Sequence, residues 1–252
     1  MTLFAEDALT RDEFLGGRLQ IWQPKQGYRA ATDPVFLAAA CPAKTGERVL
    51  ELGCGAGVAS LCLHARVAGL HLTGVERQAA YGDLARRNAQ AADAAFEVIE
   101  ADLADLPADL RQQSFDHVIA NPPYFRAGGG TQAMDAGREQ ALREETPLAQ
   151  WISTGKARLK SGGWLTLIHQ AERLPEILTL LQDGFGAIRV LPIAPRQGRD
   201  ATRIIVSARK AAKAPFTLLP PFVVHKGTHH LGDGDDYSDV AKGILRDAEG
   251  LS

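Results

Sequence analysis

The chain has few cysteines and no long apolar run. Its 252 residues include three cysteines, at positions 41, 54 and 62, without the paired spacing of a metal site. No apolar stretch approaches the ~18 residues of a membrane-spanning helix. The first residues are acidic, unlike the basic and apolar start of a secretion signal. We therefore expect a cytoplasmic protein with reduced thiols, no bound metal and no membrane contact.

The chain also lacks a strong excess of charge of either sign. Its formal net charge is −2, which argues against a dedicated polyanion-binding protein. Its basic residues are nevertheless unevenly distributed, because one late segment has only Asp200 to balance them. The basic residues of this segment are Arg189, Arg196, Arg199, Arg203, Arg209, Lys210 and Lys213. The segment is either a local nucleic-acid-binding patch or a solvated charged face, and both interpretations stay open.

Strand and helix patterns alternate from residue 48 onward. Short apolar runs separated by helical segments lie at 48–52, 71–75, 96–100, 115–120 and 164–169, with a final pair at 186–193 and 202–208. This alternation predicts an α/β fold in which helices cover both faces of a largely parallel sheet. We expect a single domain over residues 1–252.

The single domain divides into three segments by pattern. Residues 1–45 read as a hairpin near residues 14–23 followed by a helix that begins near Pro34, with Thr32 or Asp33 as its N-cap. Residues 46–212 form the core, in which a helix near 146–160 is expected to break at Ser161-Gly162-Gly163. Residues 213–252 are a C-terminal extension, first proline-rich and then polar.

A glycine-rich loop follows the first predicted strand. After Glu51, glycines occupy positions 53, 55 and 57, whereas a dinucleotide-binding loop has its third glycine one residue later. The loop instead resembles the first motif of class I S-adenosylmethionine-dependent methyltransferases. Glycines there let the backbone approach a ligand closely, and the N-terminus of the next helix faces a carboxylate.

Two acidic residues end the next two strands. Glu76 closes the second strand and Asp102 follows the third. An acid in the first place can bind both hydroxyls of a ribose, and Asp102 can accept a hydrogen bond from an adenine amino group. Each acid alone could equally be a helix N-cap. Together with the glycine loop they favour a nucleoside-containing cofactor at the carboxyl ends of the strands.

The tetrapeptide Asn121-Pro122-Pro123-Tyr124 ends the fourth strand in a rigid turn. Neither proline has an N–H group, so the turn offers carbonyl oxygens, one amide side chain and an aromatic ring. Asn121 Oδ1 and the Pro122 carbonyl can accept the two hydrogens of a planar NH₂ group while the Tyr124 ring covers its face. Holding those hydrogens out of plane would localise the nitrogen lone pair, which favours methyl transfer to an amine. On its own the tetrapeptide could also be an ordinary strand end.

With these residues placed, the chain resembles the bacterial tRNA1(Val) (adenine-37-N6)-methyltransferase family over nearly its whole length. The motifs that carry the resemblance include Phe14-Leu15-Gly16-Gly17, Gly27-Tyr28-Arg29-Ala30 with Asp33, Glu51 to Gly57, Asn121 to Phe125, Gly162-Gly163 and Leu165 to His169. The resemblance implies a Rossmann-like class I methyltransferase with a seven-stranded, mostly parallel sheet. Its strand order is 3-2-1-4-5-7-6, with the last strand antiparallel.

The resemblance also implies roles for individual residues, beginning with Tyr28, Arg29 and Asp33 over the methionine end of S-adenosylmethionine. The expected cofactor-binding set is Tyr28, Arg29, Asp33, Glu51, Gly53, Gly55, Gly57, Glu76, Asp102 and Asn121. The expected partner is tRNA, whose adenine leaves its stack and lies on Tyr124. The late basic segment adds contacts near the mouth of the site, and the expected RNA-binding set is Tyr124, Phe125, Arg196, Arg199 and Arg203.

Three other functions share these motifs. Protein glutamine N5-methyltransferases of the release-factor type use the same tetrapeptide, but they usually carry a helical domain ahead of the catalytic one. Ribosomal RNA guanine N2-methyltransferases often carry a duplicated domain. A non-catalytic RNA-binding protein on this fold would have no physical need for the complete set of glycines, acids and Asn121. No obligate protein partner is inferred.

The segment 225–237 is longer and more polar than the resemblance leads us to expect. Its three histidines, His225, His229 and His230, invite a metal interpretation. No cysteine or H-E-x-x-H pattern accompanies them, so a solvated loop is the prediction.

Overall fold

The computed structural model describes residues 3–126, 143–144, 146–228 and 236–251. Its strands are β1 (Leu9–Phe14), β2 (Leu19–Pro24), β3 (Arg48–Leu52), β4 (His71–Glu76), β5 (Phe96–Glu100), β6 (Phe115–Ala120), β7 (Phe125–Arg126), β8 (Arg143–Glu144), β9 (Leu159–Gln170), β10 (Phe185–Arg196), β11 (Arg203–Lys210), β12 (Thr217–Leu218) and β13 (Phe222–His225). Its helices are α1 (Asp33–Ala40), α2 (Val58–Arg66), α3 (Ala79–Ala91), α4 (Ala108–Gln112), α5 (Leu148–Arg158), α6 (Leu174–Leu181) and α7 (Asp239–Asp247).

The central sheet has the expected strand order. It runs β5-β4-β3-β6-β9-β11-β10, which is 3-2-1-4-5-7-6 when the strands are counted from β3. The strands from β5 to β9 are parallel, and β11 is antiparallel to both of its neighbours. The predicted fold class and topology are therefore confirmed.

The sheet is nonetheless larger than predicted, because the C-terminal extension adds two short strands. Both β12 and β13 pair in parallel with the outer edge of β10. Pro220 and Pro221 separate the two short strands, and a proline cannot donate a hydrogen bond to a sheet. The proline-rich composition of this segment therefore did not suggest strands, although Phe222 and Val224 of β13 are buried in the structure.

Helices cover both faces of the sheet, as predicted. The apolar core on one face includes Phe36, Leu61, Leu84 and Ile244. On the other face, the helices α4, α5 and α6 contribute to a second core, which includes Trp151. Among the described residues no helix is long and apolar enough to cross a membrane. The single domain over residues 1–252 and its division into segments 1–45, 46–212 and 213–252 stay predictions.

Two local predictions are wrong. Neither Thr32 nor Asp33 caps α1 with its side chain, because the Asp33 carboxylate is hydrogen-bonded to Tyr124 and Arg203 instead. The helix α5 ends at Arg158 and β9 begins at once, so Gly162 and Gly163 lie within a strand. A Cβ atom at Gly163 would be 2.8 Å from the Asp116 carbonyl, so this glycine permits a close approach of two strands.

A buried contact fixes the loop between β3 and α2. The Glu51 side chain accepts hydrogen bonds from the Ser60 backbone N–H at 3.0 Å and the Ser60 hydroxyl at 2.5 Å. Burial raises the pKa of the Glu51 carboxyl to about 8, although these bonds favour the ionised form. The glycine loop that joins Glu51 to α2 is thereby held at both ends.

Two glycines of that loop should differ in their tolerance of a methyl group. Both have a left-handed backbone, with φ of +84° at Gly57 and +53° at Gly55. A Cβ at Gly57 would lie 2.9 Å from Phe96 Cε1, whereas at Gly55 its nearest neighbour would be Tyr28 Cε1 at 3.9 Å. We expect Gly57→Ala to lower the free energy of unfolding by about 2–5 kcal/mol, and Gly55→Ala by about 1–2 kcal/mol. Urea unfolding without added ligand measures both, and equal losses would contradict the packing role of Gly57.

Glu51 should make the stability of the chain depend on pH. Its folded pKa of about 8 lies above the ordinary value of 4.5, so its contribution to stability is complete below about pH 4.5 and is lost as pH rises to about 8. We expect Glu51→Gln, which keeps an acceptor for Ser60, to flatten the fall in unfolding free energy across this interval. Urea unfolding at a series of pH values measures the slope. Glu97→Gln, which removes an exposed carboxylate from β5, is the control, and an unchanged slope in Glu51→Gln would contradict the assignment.

Candidate active site

A cavity of about 450 Å³ opens at the carboxyl ends of β3, β4, β5 and β6. Open α/β sheets bind their ligands at this edge, and the volume is in the range of small-molecule sites. Nine of the ten expected cofactor residues line it, namely Tyr28, Arg29, Asp33, Glu51, Gly53, Gly55, Glu76, Asp102 and Asn121. Gly57 is not among the lining residues and packs against Phe96 and Ala85. All four residues of the Asn-Pro-Pro-Tyr turn line the same cavity.

The glycine loop and Glu76 are joined directly. The backbone N–H of Gly55 donates to Glu76 Oε2 at 2.9 Å, and that of Gln78 donates to Oε1 at 2.8 Å. Burial raises the pKa of Glu76, while the backbone N–H bonds oppose that shift. Since little but cavity surrounds the Cβ position of Gly55, this glycine leaves room for a ligand beside the carboxylate.

Asp102 makes a turn contact and also faces the cavity. Its Oδ1 accepts from the Ala104 N–H at 2.8 Å, and Arg77 Nη1 lies 4.0 Å from Oδ2. The side chain is 42% exposed. The alternative role of helix N-cap does not apply to Asp102, because the next helix, α4, has Pro107 as its N-cap.

The segment from Gly27 to Asp33 covers one side of the cavity and is held by side chains. The Tyr81 hydroxyl accepts from the Tyr28 N–H at 2.8 Å and donates to the Tyr28 carbonyl at 3.1 Å. The Arg29 guanidinium forms an ion pair with Asp12 at 2.6 Å, which attaches the segment to the β1–β2 hairpin. Arg29 therefore anchors this segment as well as lining the cavity.

The amide of Asn121 lies beside this covering segment. Its Nδ2 donates to the Tyr28 hydroxyl at 3.4 Å, so Oδ1 is left as an acceptor in that assignment of the amide. Burial, followed by the nearby Asp33 and Glu51 carboxylates, raises the pKa of the Tyr28 hydroxyl, which therefore stays protonated. Pro122 and Pro123 line the cavity next to Asn121.

The ring of Tyr124 packs beside His169. The two ring centroids are 5.2 Å apart and the planes are tilted by 53°. Burial and the charge of Arg173 lower the pKa of His169 to about 4, so its imidazole is neutral at ordinary pH. The neutral ring supports Tyr124 without adding charge to the cavity.

Among the lining residues that were not assigned a site role from the sequence are Gln23, Tyr81 and Trp151. A Cβ at Gly53 would lie 2.4 Å from Trp151 Cη2, so the indole closes the cavity behind the glycine loop. Tyr81 is in α3, shortly after Glu76, and Trp151 is in α5. Their only sequence signal was an aromatic residue on an amphipathic helix, which ordinarily indicates core packing.

The three arginines of the expected RNA-binding set occupy different environments. Arg203 lines the cavity and donates to Asp33. Arg196 forms an ion pair with Asp236 and donates to the Lys226 carbonyl, so it joins β10 to the C-terminal extension. Arg199 is exposed in the loop between β10 and β11.

The late basic residues do not form one patch. Because β10 and β11 are long antiparallel strands, Arg203 pairs with Ile193 at one end and Arg209 with Gly186 at the other. Arg209 lies six positions after Arg203 in an extended strand, a separation of about 20 Å. Arg209 donates to the Gly162 carbonyl and lies over the Trp164 ring, away from the cavity.

Two features expected from the sequence, the Phe125 contact and the histidines of the polar segment, fall partly outside the described residues. For Phe125 only the backbone is described, and it begins β7, which pairs with β8. In the polar segment, His229 and His230 lie outside the described residues, while His225 stacks on Tyr237 and bonds to Asp236 Oδ1 at 2.6 Å. Among the described residues no group of three potential ligands could hold a metal ion.

The chain is similar to several known proteins that are described as methyltransferases. A protein of Actinobacillus succinogenes named tRNA1(Val) (adenine(37)-N6)-methyltransferase is 29% identical over 202 residues, which cover 78% of this chain and 83% of that protein. A protein of the same name from Shewanella baltica is 31% identical over 186 residues, covering 71% of this chain and 76% of that protein. A crystal structure from Agrobacterium tumefaciens, described as a predicted O-methyltransferase, has a TM-score of 0.71, is 27% identical, and covers 87% of this chain and 98% of its own.

The family described as the methyltransferase small domain matches residues 31–196. That span contains the glycine loop, Glu76, Asp102 and the Asn-Pro-Pro-Tyr turn. The resemblance drawn from the sequence is thereby confirmed, together with the class I methyltransferase fold. The chain belongs to the methyltransferase small domain family.

Proposed function

We propose that this chain transfers a methyl group from S-adenosylmethionine to N6 of an adenine in tRNA, at position 37 of tRNA1(Val). The observation that carries the proposal is that one cavity is lined by two motifs. These are the glycine loop with its acids, and the Asn-Pro-Pro-Tyr turn, which offers two acceptors for an NH₂ group. Relatives that match most of the chain carry the corresponding name.

The residues present fit the cofactor. Gly55 leaves open space where another residue would place a side chain, and the Glu76 carboxylate lies beside it. Glu76 would hold the ribose hydroxyls, Asp102 the adenine amino group, and the backbone at Gly53 and Gly55 the methionine end. When bound, S-adenosylmethionine supplies a methyl group on a positively charged sulfur.

The turn provides the orientation that a weakly nucleophilic amine needs. Asn121 Oδ1 and the Pro122 carbonyl each accept one hydrogen of the exocyclic amine, which turns its lone pair out of the ring system. The Tyr124 ring covers the face of the base, an interaction that tolerates a flipped nucleotide. No strong general base is required, because the neutral amine attacks and loses its proton afterwards. Orientation is therefore the principal contribution of these residues.

Side chains around the mouth of the cavity contact the phosphate backbone of the RNA and bring the target adenine to the site. Arg199 is exposed beside the cavity end of β11, Arg196 is the last residue of β10, and Phe125 directly follows the Asn-Pro-Pro-Tyr turn. A basic contact of this kind weakens as salt concentration rises, because counterions are released from the phosphates on binding. A cytoplasmic location follows from a tRNA substrate.

The substrate class can be tested by measuring transfer of labelled methyl groups to tRNA1(Val), to a release factor and to ribosomal RNA. We expect labelled methyl groups to enter tRNA1(Val), with N6-methyladenine recovered after digestion to nucleosides. The control is the same tRNA with adenine 37 changed to guanine, which should remain unlabelled. Transfer to a glutamine of a release factor, or to guanine N2 of ribosomal RNA, would overturn the proposed substrate while leaving the chemistry intact.

Asn121 should be required for transfer and much less for cofactor binding. Asn121→Ala removes the acceptor at the amine, so we expect the single-turnover rate to fall by at least about a hundredfold. Titration calorimetry should show nearly unchanged affinity for S-adenosylmethionine. Asn121→Asp retains an acceptor oxygen and should keep part of the activity. Full activity of Asn121→Ala would rule out the proposed orientation of the amine.

A further inference from the structure

The hydroxyl of Tyr124 has a partner that the sequence did not suggest. Tyr124 Oη donates to Asp33 Oδ2 at 2.5 Å, and Arg203 Nε donates to the same oxygen at 2.8 Å. Tyr124 belongs to the turn after β6, Asp33 to the first turn of α1, and Arg203 to the first position of β11. One carboxylate oxygen thus joins three elements that are distant in sequence.

The charges of the three groups suit this arrangement. Burial, and next the Asp33 charge, raises the pKa of the Tyr124 hydroxyl, which keeps its proton and remains a donor. Burial alone would lower the pKa of Arg203, but the Asp33 carboxylate raises it, so the guanidinium stays charged. The Asp33 side chain is only 13% exposed. Without Arg203, a largely buried carboxylate would lose its counter-charge.

The position of the Tyr124 ring depends on contacts at both of its ends. His169 lies beside the ring, but a ring contact alone permits the side chain to slide and tilt. A hydrogen bond from the far end of the ring to Asp33 removes that freedom, provided that Asp33 is itself held in place. Arg203 holds it, because β11 is paired in register with β9 at this point, Arg203 opposite Gln170.

We propose that Asp33 and Arg203 are positioning residues that fix the Tyr124 ring at the angle at which it covers the target base. Arg203 then acts through Asp33 and not through an RNA phosphate, and Asp33 serves the base-binding turn and not the cofactor. Because Asp33 also ends the segment that covers the cavity, ordering of that segment and ordering of the ring are coupled. The inference rests on the proposed function, since it assigns a role in base binding.

A double-mutant cycle tests this coupling. Tyr124→Phe and Arg203→Gln should each lower the single-turnover rate at saturating tRNA by about tenfold or more, as for the loss of a hydrogen bond to a charged group. The double variant should be no slower than the slower single variant, because both substitutions break one unit. The control is Arg189→Gln, which removes the same charge from an exposed position of β10 opposite Ser207, away from Arg203. It should leave the rate unchanged. Multiplied losses in the double variant would overturn the proposal, as would an effect of Arg203→Gln on tRNA KM alone.

A second measurement needs no activity. The chain has four tyrosines, so labelling with ¹³Cζ-tyrosine gives four signals, and the one missing from Tyr124→Phe belongs to Tyr124. In Arg203→Gln and Asp33→Asn we expect this signal to shift while those of Tyr81 and Tyr237 do not, which also shows that the variants are folded. An unshifted Tyr124 signal would overturn the proposed positioning.

The two measurements separate this inference from the proposed function. If the parent chain methylates no RNA, the proposed function and the role in base binding both fall. If the parent chain methylates tRNA and the cycle is multiplicative, only the positioning role fails.

Discussion

The parallel pairing of β3, β4, β5 and β6 is the constraint on which the site depends. Leu52 pairs with Val75 on one side and Ala120 on the other, and Glu76 pairs with Glu100. The strands therefore end at nearly the same level, and each connection that follows begins at one edge of the sheet. The glycine loop, Glu76, Asp102 and the Asn-Pro-Pro-Tyr turn meet in space because each lies at a strand end, although about seventy residues separate the first from the last in sequence.

Parallel pairing brings two carboxylates into this edge, and their burial has to be offset locally. Glu51 bonds to Ser60 and Glu76 bonds to the backbone N–H groups of Gly55 and Gln78. Both acids have a raised pKa, with burial as the first cause. A buried acid is most stable when it is hydrogen-bonded or neutral. The glycine loop therefore holds Glu76 as well as leaving room for a ligand, and the chain gives up some stability near neutral pH to keep acids in the cavity.

The sequence predicted the features whose cause is local. The alternation of apolar runs predicted the strands of the parallel core, and the glycine, acid and proline motifs each predicted a position at a strand end. Long-range contacts could not be predicted in this way. Asp33 was assigned to a helix cap and to the cofactor because its partners, Tyr124 and Arg203, are 91 and 170 residues away. Tyr81 and Trp151 carried only a pattern typical of a helix core, and the prolines between β12 and β13 concealed two edge strands.

The antiparallel strand β11 explains why the late basic residues were hard to interpret. In the parallel strands, residues after the strand lie at the cavity. In β11 the direction is reversed, so its first residue, Arg203, lies there and its later residue Arg209 is carried to the opposite end of the sheet. Neighbouring arginines in sequence are thus divided between two ends of the molecule. The reversal also places a fixed positive charge against Asp33, beside the end of the parallel strand β9, because Arg203 pairs with Gln170. A fold with a last parallel strand would put the end of that strand, and not Arg203, at the cavity. The antiparallel strand therefore lets one carboxylate, that of Asp33, join the segment that covers the cavity to the Asn-Pro-Pro-Tyr turn and to β11.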